Sequence, residues 1–590
     1  TSVTATEKTF GTKYTIGTGS SGTGNSSGSG GAGSTGTGTS DTSSSSGTGG
    51  SGTGNTGSSG TGTSGTGTSS DTSTGGDTTT EKMFMGFDNV VTIANGTDMT
   101  EITTAIYALT SDTTLKFSGG INSVTLATIA AAMGTNDSVN IALDFSETTG
   151  ITTWTNKLAG VKTLYAISLP KTVTTMERDA FKDCTNLKAI TVPCSIQNYP
   201  STPVYSTIVN FVGTLTDWLQ SSAEPPSGRI LYLNGAKFEL SGTVIIPDSI
   251  TTIKNYAFYG CSEITNVIIP DSVTSIGSYA FAWCSRLTSV TIGDCVTQIG
   301  DYAFSECSEL MNISIGRSVE RIGVYAFSEC SGLTSVTIPE SMTTIENSAF
   351  CYCSGLKKLI IADGNTTLNF ANGNSYSRVF DHCPLEMLYL GRNFEYWNDS
   401  PFGSLETLVS LEIGKNATNI PASAFSYCTG LTSITIPSSV TSIGSQAFYN
   451  CNNLKEVIIA DGDEAINLLG NSTENLFKNC PLETVYFGRN LNAESDSDVI
   501  PFYKKTTLIS VEIGSDVTKI NAGAFCACSE LTTIIISDSV ISIEDEAFYG
   551  CSSLTTVNYR GSESQWQAIS IDPDNTPLEN ATIVYNYTGE

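Results

Sequence analysis

The chain has 590 residues, with 28 Lys and Arg against 57 Asp and Glu, a formal net charge of −29 and one histidine, His382. We expect no nucleic-acid partner, because each neutralised phosphate needs a basic side chain and the sequence has no basic cluster. A single histidine also argues against a histidine metal cluster and against a histidine pH switch. Charged residues are only 14% of the chain, whereas a soluble domain has about 25%.

The N-terminal segment, residues 1–16, places Phe10, Tyr14 and Ile16 in alternation with other residues at a period of two. A period of two is typical of a strand, but no neighbouring segment is available to pair with it. We therefore expect either disorder or addition to a sheet edge on another molecule, with these three side chains as candidate assembly residues. The chain starts with Thr1 and no signal sequence precedes it, which predicts a mature, trimmed form.

Residues 17–80 contain only Gly, Ser, Thr, Asn, Asp and Ala. Such a composition has no apolar surface to bury, so it predicts a disordered linker that acts as a spacer. The alternative is a glycan-bearing or adhesive stalk. No apolar run of 18 or more residues occurs, so we expect no membrane-spanning helix.

Residues 81–165 have a mixed pattern. Apolar periodicity predicts helices over 99–109 and 124–133, and strands over 114–117 and 139–145. Alternating helices and strands indicate a small α/β unit. We expect this unit to cap the region that follows.

Residues 166–590 repeat a pattern that most often returns every 23 residues, marked by Ala-Phe followed three residues later by Cys. The second half of one unit reads Cys284-x-x-Leu287-x-x-Val290-x-Ile292. Val290 and Ile292 alternate with polar residues, which predicts a strand with one face inward. One unit cannot bury its own core, so the units stack. The predicted fold is an α/β repeat solenoid, a curved leucine-rich-repeat array with a parallel sheet on its concave side.

Most cysteines share one position of the repeat. Stacked equivalents lie about 4.8 Å apart with parallel side chains, whereas a disulfide needs a Cβ separation of roughly 3.8 Å. We therefore predict buried free thiols, with disulfides or a metal ladder as the alternative. Cys351 and Cys526, which form Cys-x-Cys pairs with ladder residues, are not predicted to bind metal. The twelve ladder residues are Cys184, Cys261, Cys284, Cys307, Cys330, Cys353, Cys383, Cys428, Cys451, Cys480, Cys528 and Cys551.

These units resemble the BspA-like, or Treponema pallidum-type, leucine-rich repeats of bacterial surface proteins, which also occur in parasitic protists. The segments at 561–566 and 580–586 are similar to the usual end of such arrays, and those at 213–218 and 231–235 resemble the same module placed internally. The resemblance implies a secreted or surface-anchored adhesin that binds host matrix proteins or other cells.

Two long stretches of the array, 359–393 and 457–490, duplicate each other. Each contains an insertion relative to the regular unit, and we expect insertions near 195–245, 362–380 and 460–477. Insertions in solenoids map to loops on one side and often form binding features.

Four large side chains stand among the Ser, Thr and Asn of the predicted concave sheet: Tyr389, Glu412, Tyr486 and Glu512. Tyrosine is enriched at protein interfaces, so these residues are candidates for ligand binding. The alternative is that they are ordinary exposed sheet positions. The acidic stretch 494–498 lacks the Gly and distal Glu of a calcium loop, and we interpret it as a solvated loop.

The sequence contains no nucleotide-binding fingerprint in a strand-helix context and no recurring pair of carboxylates in a predicted pocket. We therefore expect no enzyme activity, no cofactor and no bound metal. The predicted location is extracellular, at the cell surface. The predicted function is that of an adhesin whose solenoid recognises protein or glycan ligands on host or neighbouring cells. The alternative is self-association into an extracellular filament or surface layer, head-to-tail, by addition of the N-terminal strand.

Overall fold

A computed structural model describes residues 87–94, 98–197, 208–221, 231–234, 236–237, 240–371, 378–469, 476–493 and 501–589. All of the described residues belong to one compact unit. The predictions for residues 1–16, including Phe10, Tyr14 and Ile16, and for the linker at 17–80 lie outside the described residues.

The first described elements form the expected α/β unit. Asp98 begins the first helix by accepting the backbone N–H groups of Thr100 and Glu101, and Asn122 begins the second with a capping box to Thr125. The elements are β1 (Val90–Ile93), α1 (Met99–Tyr107), β2 (Thr113–Gly120), α2 (Ser123–Thr135), β3 (Ile141–Thr149), β4 (Thr153–Trp154), a 3-10 turn (Asn156–Leu158), β5 (Leu164–Ser168), β6 (Thr175–Met176), β7 (Ala189–Pro193), β8 (Ile208–Val212), α3 (Leu215–Gln220), β9 (Leu231–Leu233) and β10 (Ala236–Lys237). They build an eight-stranded sheet in the order β1-β2-β3-β5-β7-β8-β9-β10, in which only β9 and β10 pair antiparallel, and a separate β4-β6 pair.

From residue 242 onward each coil contributes a long strand to one side and a short strand to another. The long strands, here called the long-strand face, are β11 (Gly242–Ile245), β13 (Ile264–Ile269), β15 (Ser289–Ile292), β17 (Asn312–Ser314), β19 (Ser335–Ile338), β21 (Lys358–Ile361), β23 (Met387–Arg392), β25 (Ser410–Asn416), β27 (Ser433–Ile436), β29 (Glu456–Ile459), β31 (Thr484–Arg489), β33 (Ser510–Asp516), β35 (Thr533–Ile536), β37 (Thr556–Tyr559) and β39 (Thr582–Val584). They form parallel sheets in which Val267 lies opposite Val290 and Ile269 opposite Ile292. The predicted parallel sheet of the solenoid is thereby confirmed.

The sequence pattern did not predict the second set of strands. These short strands, here called the short-strand face, are β12 (Thr252–Ile253), β14 (Ser275–Ile276), β16 (Gln298–Ile299), β18 (Arg321–Ile322), β20 (Thr344–Ile345), β22 (Leu368–Phe370), β24 (Phe394–Tyr396), β26 (Asn419–Ile420), β28 (Ser442–Gly444), β30 (Ile466–Leu469), β32 (Leu491–Ala493), β34 (Lys519–Ile520), β36 (Ser542–Ile543) and β38 (Ser570–Ile571). Two one-turn helices, α4 (Glu563–Trp566) and α5 (Thr576–Glu579), lie near the end of the chain. No helix in the described ranges is long and apolar enough to cross a membrane.

Phenylalanine rings form the centre of the core. Each ring stacks on the equivalent ring of the next coil, with centroids 4.8 to 6.0 Å apart. The stack continues through the irregular units on Phe380 and Phe477, so the column is continuous from Phe258 to Phe548. Its members are Phe258, Phe281, Phe304, Phe327, Phe350, Phe380, Phe402, Phe425, Phe448, Phe477, Phe502, Phe525 and Phe548.

The chain returns between strands through turns that bond to the next coil. In one unit the backbone N–H groups of Tyr279, Phe281 and Trp283 donate to carbonyls 22 residues further on, at 2.7 to 2.9 Å. Tyr279 and Trp283 have φ values of 57° and 64°, and the residue before every ladder cysteine likewise has a positive φ. In regular units such as this one, two left-handed residues direct these donors toward the neighbouring coil.

The ladder cysteines are buried and free, as predicted, and they also donate hydrogen bonds. The Cys307 thiol donates to the carbonyl of Phe281 in the preceding coil at 3.2 Å, and ten other ladder thiols make the equivalent contact at 3.0 to 3.3 Å. Cys194 and Cys295, outside the ladder, are exposed. The cysteine position therefore combines a small apolar volume with a donor that links consecutive coils.

Candidate functional site

The duplicated stretches, each with the long strand that follows it, place the same four residue types at equivalent positions. In both copies a tyrosine on one long strand and a glutamate on the next lie in register, Tyr389 opposite Glu412 and Tyr486 opposite Glu512. An aspartate follows the strand before the tyrosine, and an arginine follows the tyrosine by three residues. We call these groups station 1 (Asp363, Tyr389, Arg392 and Glu412) and station 2 (Asp461, Tyr486, Arg489 and Glu512).

Each tyrosine is bonded to the aspartate of the preceding coil. The Tyr389 hydroxyl donates to Asp363 Oδ1 at 2.9 Å, and the Tyr486 hydroxyl donates to Asp461 Oδ1 at 2.7 Å. Burial raises the pKa of both phenols, and the bonded carboxylates and the neighbouring glutamates raise the pKa further. Both hydroxyls therefore stay protonated and fix the position of the aspartate.

A glycine lies beneath each tyrosine-aspartate pair. A Cβ on Gly414 would be 2.7 Å from Tyr389 Oη and 2.9 Å from Asp363 Oδ1. A Cβ on Gly514 would be 2.8 Å from the tyrosine oxygen and 2.5 Å from the aspartate oxygen of station 2. Only glycine leaves room for the pair to cross the backbone at this point.

The arginines hold the stations to coils further back. Arg392 is fully buried and donates to the carbonyls of Pro339 at 2.7 Å and Glu340 at 2.6 Å. Arg489 makes the same contacts with Pro437 and Ser438, at 2.7 and 2.8 Å. Burial lowers the pKa of both guanidinium groups. These side chains connect the stations to the backbone of earlier coils and do not face a ligand. The repeated Gly-Arg-Asn was the sequence signal for this structural role.

The two glutamates differ in their surroundings. Glu512 is 7% exposed, and its Oε1 accepts a hydrogen bond from Arg560 Nη2 at 2.7 Å. Burial raises the pKa of Glu512, Arg560 opposes that rise, and Asp461 adds to it. Glu412 is exposed, and no basic side chain in the described ranges forms an ion pair with it. Station 2 is therefore filled by a cation from the same chain, whereas station 1 is open.

The difference follows from one position of the repeat. Arg560 comes directly after β37, two coils beyond the strand of Glu512. Two coils beyond the strand of Glu412, the residue directly after β29 is Ala460. Alanine cannot reach back as arginine does, so Glu412 remains in solvent.

The structure locates every candidate binding residue predicted from the sequence. Tyr389 is half-buried and Glu412 is exposed, as expected for side chains that face outward. The expectation of exposure is wrong for Tyr486, which is 8% exposed, and for Glu512, because Arg560 and neighbouring side chains cover station 2. A ligand-binding role of these four residues stays a prediction. The acidic stretch at 494–498 lies outside the described residues, within which no cluster of His, Cys, Asp or Glu could hold a metal ion.

A second feature escaped the sequence prediction, a row of tyrosines on the turns. Four of them stand two residues before the core phenylalanine in successive units, each with a positive φ. Their rings stack with centroids 4.6 to 5.0 Å apart and planes within 19°. The recurrence of Tyr-Ala-Phe was the available signal. The residues are Tyr256, Tyr279, Tyr302 and Tyr325.

Comparison with known proteins supports the repeat assignment. A family model described as the BspA type leucine rich repeat region matches residues 148–210, 238–367, 374–497 and 500–570, in six copies. No curated protein sequence matches the chain.

Several solved structures are also similar. A leucine-rich cell surface protein from Faecalibacterium prausnitzii is 26% identical over 57% of this chain and 92% of that chain, with a TM-score of 0.27. A leucine-rich repeat protein from Bacteroides ovatus is 26% identical over 59% and 94%, with a TM-score of 0.33. The leucine-rich repeat protein of T. pallidum is 25% identical over 32% and 77%, with a TM-score of 0.23.

Proposed function

The chain belongs to the family of BspA-type leucine-rich-repeat proteins, and on this premise we propose that it is an extracellular, surface-displayed binding protein. It acts as an adhesin for protein or glycan ligands on host or neighbouring cells. Binding uses the area and shape of the solenoid and requires no covalent chemistry.

The observation that supports this proposal most directly is the composition of the long-strand face. Its outward positions are mostly small and polar, such as Thr291 and Thr337, yet Ile245, Ile268 and Met387 are 63%, 41% and 44% exposed there. Ile245 and Ile268 lie in register on neighbouring strands and form one contiguous exposed apolar pair, which supports contact with a partner at this face.

Adhesion assays with the full chain test the proposal. We expect the chain to bind immobilised matrix proteins or whole cells, and Thr337→Arg on β19 to weaken this binding at least tenfold. Thr343→Arg, the same change at an exposed position beside the short-strand face, serves as the matched control and should bind like the native chain. Failure of the native chain to bind any matrix protein or cell, or equal loss in both variants, would contradict the proposal.

One observation favours the filament alternative. The terminal strands of the described sheets pair on one side only, β1 with β2 and β39 with β37. Val90 of β1 and Val584 of β39 are 53% and 41% exposed, as suits edges that accept another strand. Deletion of residues 1–16 should abolish any fibres seen by electron microscopy, and unchanged assembly would reject strand addition by that segment.

A further inference from the structure

We infer that station 1 binds the guanidinium group of an arginine presented by a partner protein, and that station 2 displays this binding mode with Arg560 in the place of the ligand. The inference rests on the proposed binding function and names the chemistry of the partner.

Station 2 shows how a guanidinium is held. Arg560 Nη2 lies 2.7 Å from Glu512 Oε1, and the side chains are 38% and 9% exposed. The charge of Arg560 also acts on Tyr486, whose hydroxyl is bonded to Asp461. The guanidinium is therefore bonded to Glu512 beside the tyrosine-aspartate pair. A charge-assisted hydrogen bond of this kind is stronger than a neutral one.

Station 1 repeats every acceptor of this arrangement. Tyr389 is bonded to Asp363 on one side and lies in register with Glu412 on the other. The glycine beneath the pair and the buried arginine are repeated as well. Because Ala460 replaces the arginine, no basic side chain of the described residues, Lys415 included, is ion-paired with Glu412.

The approach to station 1 is open. The coil next to Glu512 carries Ile535 at its outward position, which is 7% exposed. The equivalent residue next to Glu412 is Thr435, which is exposed. An arginine side chain from outside can therefore reach Glu412 where Arg560 reaches Glu512 from within the chain. The net charge of −29 favours the approach of a basic partner to the chain.

An arginine fits this site better than a lysine. The cation that station 2 holds is itself an arginine, and a planar guanidinium presents several fixed donors, whereas an ammonium is a compact point charge. The partner is thus a protein segment with an accessible arginine.

Calorimetric titration with a short peptide of alternating arginine and glycine tests the inference. The comparison peptides have citrulline or lysine in place of each arginine. We expect the arginine peptide to bind the full chain at least tenfold more tightly than the citrulline peptide. Glu412→Gln should reduce the affinity about tenfold, and Ala460→Arg should do the same by supplying an internal cation. Glu406→Gln and Thr343→Arg are the charge-matched controls and should leave the affinity unchanged.

The double variant Arg560→Ala and Ile535→Thr provides the converse measurement, because opening station 2 should raise the stoichiometry from one peptide to two. Equal binding of the arginine and citrulline peptides, or full affinity in Ala460→Arg with an unaltered far-ultraviolet circular dichroism spectrum, would overturn the inference. Neither result affects adhesion to cells or the Thr337→Arg assay. A failure of arginine binding at station 1 can therefore be distinguished from a failure of the proposed adhesin function.

Discussion

Raising the pH above 9 should destabilise the solenoid, because the thiol ladder must stay protonated in the folded state. Burial raises the pKa of seven ladder thiols, and three of them, in consecutive coils, lie well above the ordinary value. The seven are Cys184, Cys284, Cys307, Cys330, Cys428, Cys528 and Cys551.

The sign follows from linkage. The folded pKa exceeds the unfolded pKa, so the stabilisation is complete below the unfolded value and is lost as the pH rises from the unfolded toward the folded value. Each such thiol contributes a slope of about 1.4 kcal/mol per pH unit once the unfolded chain is ionised. The three coils that carry Cys284, Cys307 and Cys330 should therefore lose about 4 kcal/mol per pH unit above pH 9.

Urea unfolding followed by circular dichroism, under reducing conditions at pH 7, 8, 9 and 10, measures this loss. The midpoint should hold steady to pH 8 and fall steeply by pH 10. The double variant Cys307→Ala and Cys330→Ala should flatten the fall, whereas Cys194→Ala and Cys295→Ala, at exposed positions, should not. A midpoint that stays constant between pH 8 and pH 10 would refute the reasoning.

Three further changes test the packing. Gly514→Ala should destabilise the fold by roughly 1 to 3 kcal/mol, because the new Cβ meets the tyrosine-aspartate pair. Gly134→Ala in α2, where a Cβ has nothing within 4 Å, should stabilise the fold by up to about 1 kcal/mol. Chemical unfolding measures the opposite signs of the two changes. Arg489→Lys should cost about 1.5 to 3 kcal/mol, since one ammonium cannot reproduce two parallel bonds to carbonyls. Phe327→Ala should cost about 3 to 5 kcal/mol and exceed Phe548→Ala, because the first ring stacks on two neighbours and the second on one; equal melting temperatures would contradict this.

The core of the fold could be predicted because its determinants are local and periodic. Phe380, Phe402, Phe477 and Phe502 belong to irregular units, and the structure stacks all four in the same column as the regular ones. Apolar periodicity likewise located both helices of the α/β unit to within two residues at each end.

The remaining features depend on properties that periodicity does not report. Tyr279 and Trp283 have left-handed backbones that nothing in their side chains requires. The burial of Glu512 depends on Arg560, which is 48 residues away in sequence and in contact only after two coils have stacked. Inward and outward alternation predicts which face a residue occupies, but not which distant side chain covers it.

The buried arginines have a mechanical consequence. Coils that bond only to their neighbours can unfold one at a time. Arg392, however, donates a hydrogen bond to a carbonyl 53 residues earlier, and Arg489 donates one to a carbonyl 52 residues earlier. Tension on the chain must break these arginine-carbonyl bonds, each of which acts as a clamp, before the coils between the bonded residues can unfold. At about 3.3 to 3.6 Å per extended residue, each clamp then releases roughly 180 Å of slack in a single step.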